Sequence, residues 1–192
     1  VAISLSGMAQ NSATARKILD RTAAVVGNKS GASANFKISN AKIGTTSGSL
    51  SIKGNMFQAR TPQAIVWYNG KTQWTYMKKT NEVNVSNPTE AQRMQMNPYT
   101  FISMYRKGYT LSSSKKGGSY VVHMKAQNKK RSVQEVYITV NARTYVPSAI
   151  KMRQSSGWTN ITVSNFKKAK LSNSTFTFRA KDYPKAEIVD LR

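Results

Sequence analysis

His123 is the single histidine of this 192-residue chain, and cysteine is absent. Those two facts exclude a thiolate metal site, a cysteine nucleophile and a disulfide scaffold, and neither H-E-x-x-H nor C-x-x-C spacing occurs. His123 sits in the run Tyr120-Val121-Val122-His123-Met124, so it reads as a histidine on a strand face. The count allows a Ser-His-acid triad, yet no G-x-S-x-G elbow is present to raise a serine. Seven carboxylates remain: Asp20, Glu82, Glu90, Glu135, Asp182, Glu187 and Asp190. Their spacing supports no glycosidase-like pair, and no glycine-rich phosphate loop follows a strand and opens a helix. The expectation is a binding protein and not an enzyme, with no cofactor and no metal.

Two kinds of ligand fit the remaining residues. Thirty Lys and Arg against seven acids give a formal net charge of +23, which attracts nucleic acid, anionic headgroups or acidic proteins at long range. The cations are spread along the chain, with a local cluster at Lys115, Lys116, Lys125, Lys129, Lys130 and Arg131 that reads first as a solvated strand face and loop. Aromatic residues such as Trp74 and Tyr76 on a basic sheet would stack bases. No RNP-like, KH or zinc signature accompanies them, and no nucleic-acid partner is expected. The other reading is apolar: flexible Met94, Met96 and Met104 suit a surface that re-packs around variable chains, although such a stripe alone is more often core.

The elements that must hold these residues are mostly strands. Val1 to Ala9 reads as the end of a secretory leader, with Gly7 and Ala9 at the small-residue positions before cleavage, so residues 1–10 are expected to be its remnant. An amphipathic helix follows, with Ala15, Ile18, Leu19, Thr22, Val25 and Val26 on one stripe, Ser12 as N-cap and Gly27 as stop. Asn69-Gly70 predicts a two-residue hairpin that pairs Tyr68 with Lys71 and Ile65 with Trp74. Alternation then puts Ile65, Trp67, Thr72, Trp74 and Tyr76 on one uncharged face, expected to point inward as core or as the wall of an apolar pocket. Asn87-Pro88 and Asn97-Pro98 signal helix starts in the middle of the chain. Strands are predicted again at 120–125, 133–140, 145–153, 158–164 and 175–178. About a dozen short strands with helices in front and in the middle predict a mainly β fold, an unclosed antiparallel barrel under a helical lid, as one domain over residues 11–192.

Four blocks of the chain resemble one family. Gly48-Ser49-Leu50-Ser51-Ile52-Lys53 with Asn55-Met56-Phe57 is similar to the G-x-L-x-V-K…N-L-F strand pair of the LolA carriers. Asn69-Gly70-Lys71-Thr72-Gln73-Trp74-Thr75-Tyr76 resembles that family's next hairpin, Asn97 to Ile102 its central helix, and Thr175 to Phe178 with Val189-Asp190 its C-terminal strand and tail. The wording at Asn81-Glu82-Val83-Asn84-Val85 looks like a divergent branch.

The resemblance implies a periplasmic carrier, exported by a signal peptide and monomeric. Its partners would be the acyl chains of lipoproteins, an inner-membrane lipoprotein-releasing ABC transporter and an outer-membrane lipoprotein acceptor. On that reading Leu50, Ile52, Met56, Ile65, Trp67, Trp74 and Tyr76 line the lipid cavity. Ile18, Leu19, Val25, Met94, Met96, Phe101, Ile102 and Met104 belong to the lid. One departure stands out. Family members carry an Arg directly after the G-x-L-x-V-K strand that fastens the lid, whereas here Lys53 runs into Gly54, with Lys53 expected outward and Gly54 in the inward slot.

Overall fold

From Ala32 onward apolar residues recur at every second position, and most of these runs form strands with one buried face. The computed structural model describes the backbone from Ile3 to Arg192 and the side chains of residues 11–94 and 97–192. The leader expected at residues 1–10, apart from the backbone from Ile3, and the side chain of Met96 lie outside the described residues.

The strands are β1 (Ala32–Asn40), β2 (Gly44–Lys53), β3 (Met56–Arg60), β4 (Ala64–Tyr68), β5 (Gln73–Met77), β6 (Glu82–Ser86), β7 (Tyr109–Lys116), β8 (Ser119–Ala126), β9 (Glu135–Asn141), β10 (Pro147–Gln154), β11 (Gly157–Lys168) and β12 (Glu187–Asp190). These twelve described strands form one sheet in the order β12-β6-β5-β4-β3-β2-β1-β11-β10-β9-β8-β7. Only β12, parallel to β6, breaks the antiparallel pairing. Although β4 and β10 are separated in the sheet by β3, β2, β1 and β11, Val66 and Met152 line one cavity, so the sheet curls. Its edges, β12 and β7, do not pair, and the barrel stays open.

Gly48 shows why that residue opens the β2 motif. A Cβ there would lie 2.0 Å from the Arg60 carbonyl oxygen and 3.0 Å from the Phe36 ring. Only glycine lets β2 and β3 approach at that point.

A helix covers part of the concave side. α1 runs from Ile3 to Val26, straight through Ser12, which is therefore not its N-cap. Its buried stripe is Ala15, Ile18, Leu19, Thr22 and Val26, packed with the concave core. Val25, expected on that stripe, lies half-buried at its edge and outside the core cluster. The α1 N-terminal half is tied to the sheet edge by Asn11, which exchanges side-chain hydrogen bonds with the Ser113 main chain in β7.

α2 (Glu90–Met96) begins two residues later than Asn87-Pro88 suggests. Thr89 is the cap, with a reciprocal capping box to Gln92, while Asn87 accepts a hydrogen bond from the Thr72 hydroxyl. Asn97 does start the next turn as expected, accepting from the Tyr99 N–H, and a 3-10 helix spans Pro98–Ser103. The strand expected at 175–178 is replaced by a 3-10 turn at Asn173–Phe176 and an extended stretch outside the sheet.

Candidate functional site

Residues of β1 to β5, β10 and β11 enclose an apolar cavity of about 320 Å³. Its walls are Phe36, Ile38, Ala59, Val66 and Met152, with Thr75 and Thr159 as sparse polar points. The rim carries Lys42, Gln154, Ser156 and Ile43, whose side chain is 55% exposed on the β1–β2 turn. A volume of this size falls at the small end of ligand pockets. A methylene occupies about as much room as a liquid water molecule, roughly 30 Å³, so the cavity accepts roughly ten of them.

The rest of the concave face is sealed by a helical cap. Met94, Tyr99, Phe101, Met104 and Tyr105 are buried against it together with Ile18 and Leu19, and Ile102 packs on the same core while half-buried. Leu50 and Ile52 join this core beneath the cap and do not line the open cavity.

The cap is fastened by a few polar contacts. The Tyr105 hydroxyl donates to Asp20 on α1, and burial, reinforced by that carboxylate, pushes the Tyr105 phenol up to about 12. Arg131, from the β8–β9 loop, donates to Glu90 at 3.0 Å and to the Lys107 carbonyl at 2.9 Å. Its guanidinium also lies 4.3 Å from the Tyr109 ring centroid. A Cβ on Gly108 would sit 2.2 Å from this guanidinium, at a backbone φ of +82°, so glycine leaves the space the Arg occupies. The fastening arginine thus comes from the far side of the sheet. Lys53 points outward as expected, donating to the Leu171 carbonyl and to Asn173, and Gly54 fills no inward slot but sits in the β2–β3 turn.

Ile65, Trp67, Trp74 and Tyr76 do share a face, but it is the convex one. The loop between β4 and β5 has four residues, because the Asn69 side chain accepts from the Lys71 and Thr72 N–H groups and widens the turn. Trp67 therefore pairs with Trp74, and Ile65 with Tyr76, a shift of two that preserves the grouping. What covers this face is the C-terminal segment. Trp67 meets Phe178 at 5.5 Å and Tyr183 at 5.8 Å, Tyr76 meets Tyr183 at 4.6 Å, and Phe176 is fully buried. Met56 also points to this side, alternating with the inward Phe57 and Ala59. Of the cavity walls missed from the sequence, Val66 alternates with Ile65 and Trp67, Ala59 lies on the face opposite Met56, and Phe36 belongs to β1, where no site residue was expected.

His123 lies on the outer face, stacked on Tyr137 with centroids 4.3 Å apart, and its Nε2 meets Glu135 at 3.0 Å. Arg153 donates to the same carboxylate at 2.7 Å. That bond outweighs burial and, with His123, holds the Glu135 carboxyl below the usual range. His123 and Arg153 both serve the one carboxylate, so this is a structural cluster of strand-face residues. Among the described residues no three metal-ligating side chains gather, and no helix is long and apolar enough to cross a membrane.

Solved structures share this curled sheet. An uncharacterized conserved protein from Thermus thermophilus superposes with a TM-score of 0.62 at 12% identity, covering 92% of this chain and 99% of its own. A LolA superfamily protein from Nitrosomonas europaea gives 0.50 at 12% identity, over 85% and 97%. A putative outer membrane lipoprotein-sorting protein domain from Vibrio parahaemolyticus gives 0.51 at 11% identity, over 87% and 97%. Comparison with curated proteins returns no match. Identities this low establish the fold alone, but the family model described as outer membrane lipoprotein carrier protein LolA matches residues 5–156. The chain belongs to that family.

Proposed function

We propose that this protein is a periplasmic carrier that binds the acyl chains of lipoproteins in its concave cavity and shuttles them from the inner to the outer membrane, without catalysis. The observation that carries this reading is an apolar cavity of about 320 Å³ inside a curled sheet of the LolA family. Burial of roughly ten methylenes at about 0.8 kcal/mol each supplies a gross driving force of roughly 8 kcal/mol, enough to hold a chain and still release it. A triacylated cargo needs more room than the closed cavity gives, so the helical cap must move to admit it.

The cap interface suits such movement. Thr22 Oγ1, Arg93 Nε and the Tyr99 hydroxyl are buried there with no hydrogen-bond partner among the described residues. Polar atoms at a buried seam gain less from burial than apolar ones, which favours a cap that can part from the sheet. In this reading the protein works as a monomer, receives its cargo from a lipoprotein-releasing ABC transporter and passes it to an outer-membrane acceptor. Its positive surface guides it to anionic membranes and partners.

The test is displacement of an apolar fluorescent probe by a triacylated lipopeptide at low and high salt. The expected result is saturable displacement that salt leaves nearly unchanged, while transfer to acceptor membranes slows as salt rises. Absence of displacement would contradict the proposal.

A further inference from the structure

Beside the apolar cavity lies a second pocket of opposite character, about 440 Å³ in volume. It lies between the β8–β9 loop, with Lys129, Lys130, Arg131 and Ser132, and the β10–β11 turn, with Ser155 and Ser156; Arg153 adds a fourth cation. The two spaces share a wall, since Gln154 and Ser156 line both.

The basic pocket is preformed. The Gln134 side-chain amide, itself half-buried, donates to the carbonyls of Asn128, Lys129 and Arg131. The Asn128 side chain in turn accepts from the Lys130 N–H. These bonds turn the loop carbonyls back on themselves and fix where its side chains emerge. Charge is also left over. Glu90 and Glu135 pair with Arg131 and Arg153, whereas Lys129 and Lys130 enter no ion pair among the described residues. Spare ammonium groups, guanidinium groups and three serine hydroxyls around one space make a receptor for phosphate oxygens.

We infer that the protein takes an anionic phospholipid with one chain in the apolar cavity and its phosphate between the β8–β9 loop and the β10–β11 turn. This inference rests on the reading of the cavity as an acyl site and extends it, because the acylated cysteine of a lipoprotein carries no phosphate. The shared wall makes the assignment: a ligand seated in both spaces must join an apolar chain directly to an anionic group.

The test uses the full chain and the same fluorescent probe, displaced by lysophosphatidylglycerol or by the phosphate-free monoacylglycerol of equal chain length, each below its critical micelle concentration. The anionic lipid is expected to bind about tenfold tighter, as one charge-assisted contact allows. The exposed pair Lys129→Ala/Lys130→Ala should abolish that preference without weakening monoacylglycerol binding. The equally charged change Lys115→Ala/Lys116→Ala, at the end of β7, should leave it intact. Inorganic phosphate at millimolar concentration should compete with the anionic lipid only. Equal affinity for the two lipids in the parent protein, or equal loss in both lysine variants, would overturn the inference and leave the acyl cavity standing. Failure of both lipids to displace the probe would overturn the cavity reading as well.

Discussion

The sheet carries an apolar layer on each face, and the two are built differently. The convex layer is aromatic: Trp67 meets Phe178 and Tyr183 edge to face, Tyr76 tilts against Tyr183, Phe178 stacks on Tyr183, and Phe176 is fully buried. Rings in such arrangements add specific contact energy and leave little freedom. Around the cavity, the concave layer is chiefly aliphatic, with Ile38, Ala59, Val66 and Met152 beside two aromatic residues, Phe36 and Trp158. One layer is a closed joint between chain segments. The other encloses a cavity. An uncharged strand face therefore says that something covers it, and only the third dimension says whether that is the chain itself or a ligand.

Substitutions separate the two layers. Phe176→Ala should remove about 3–5 kcal/mol of stability, read from urea unfolding, by opening a hole in the convex joint. Probe affinity measured on the fraction still folded should not change, and a parallel fall would merge the two layers into one. Ala64→Trp should do the converse. Ala64 is half-buried at the cavity wall, so an indole there fills the space. Probe binding should weaken about tenfold or more, about 1.4 kcal/mol, with little change in the unfolding midpoint.

Smaller effects sharpen the picture of the cap. Arg131→Ala removes the bonds to Glu90 and Lys107 and the contact with Tyr109. Stability should fall by about 1 kcal/mol, since the pair is partly exposed. Amide exchange in α2 and the following turn should speed up, while the convex layer stays protected. An alkaline titration probes the same cap through its phenols. Tyr105 and Tyr109 have folded-state values raised to about 12 from 10.0. Their contribution is fully present below pH 10 and is lost as pH rises toward about 12. Tyr105→Phe should shrink that loss, read as the pH dependence of the urea midpoint.

Much of the fold is legible in the chain itself. Alternation at Asn35 to Ile38 and Ser49 to Lys53 marks β1 and β2, and the stripe from Ala15 to Val26 marks α1. The grouping of Ile65, Trp67, Trp74 and Tyr76 survives even the wrong loop length, because a register shift of two keeps every side chain on its face. The direction of that face does not survive. Period-two patterning is symmetric between the sides of a sheet, and residues 171–192 decide the matter from more than a hundred positions away. The fastening of the cap escapes for the same reason: Arg131 lies 41 residues from Glu90. Thr175 to Phe178 alternates as a strand does, yet its apolar residues pack on the convex rings without joining the ladder.

The most direct measurement places the acyl chain on one face. A lipopeptide bearing a photoreactive diazirine on its chain would be bound, irradiated and mapped by peptide mass spectrometry. Attachment at Phe36, Ala59, Val66 or Met152 is the predicted result. Attachment at Trp67, Tyr76 or Tyr183 would show that the convex layer opens for lipid and would contradict the account.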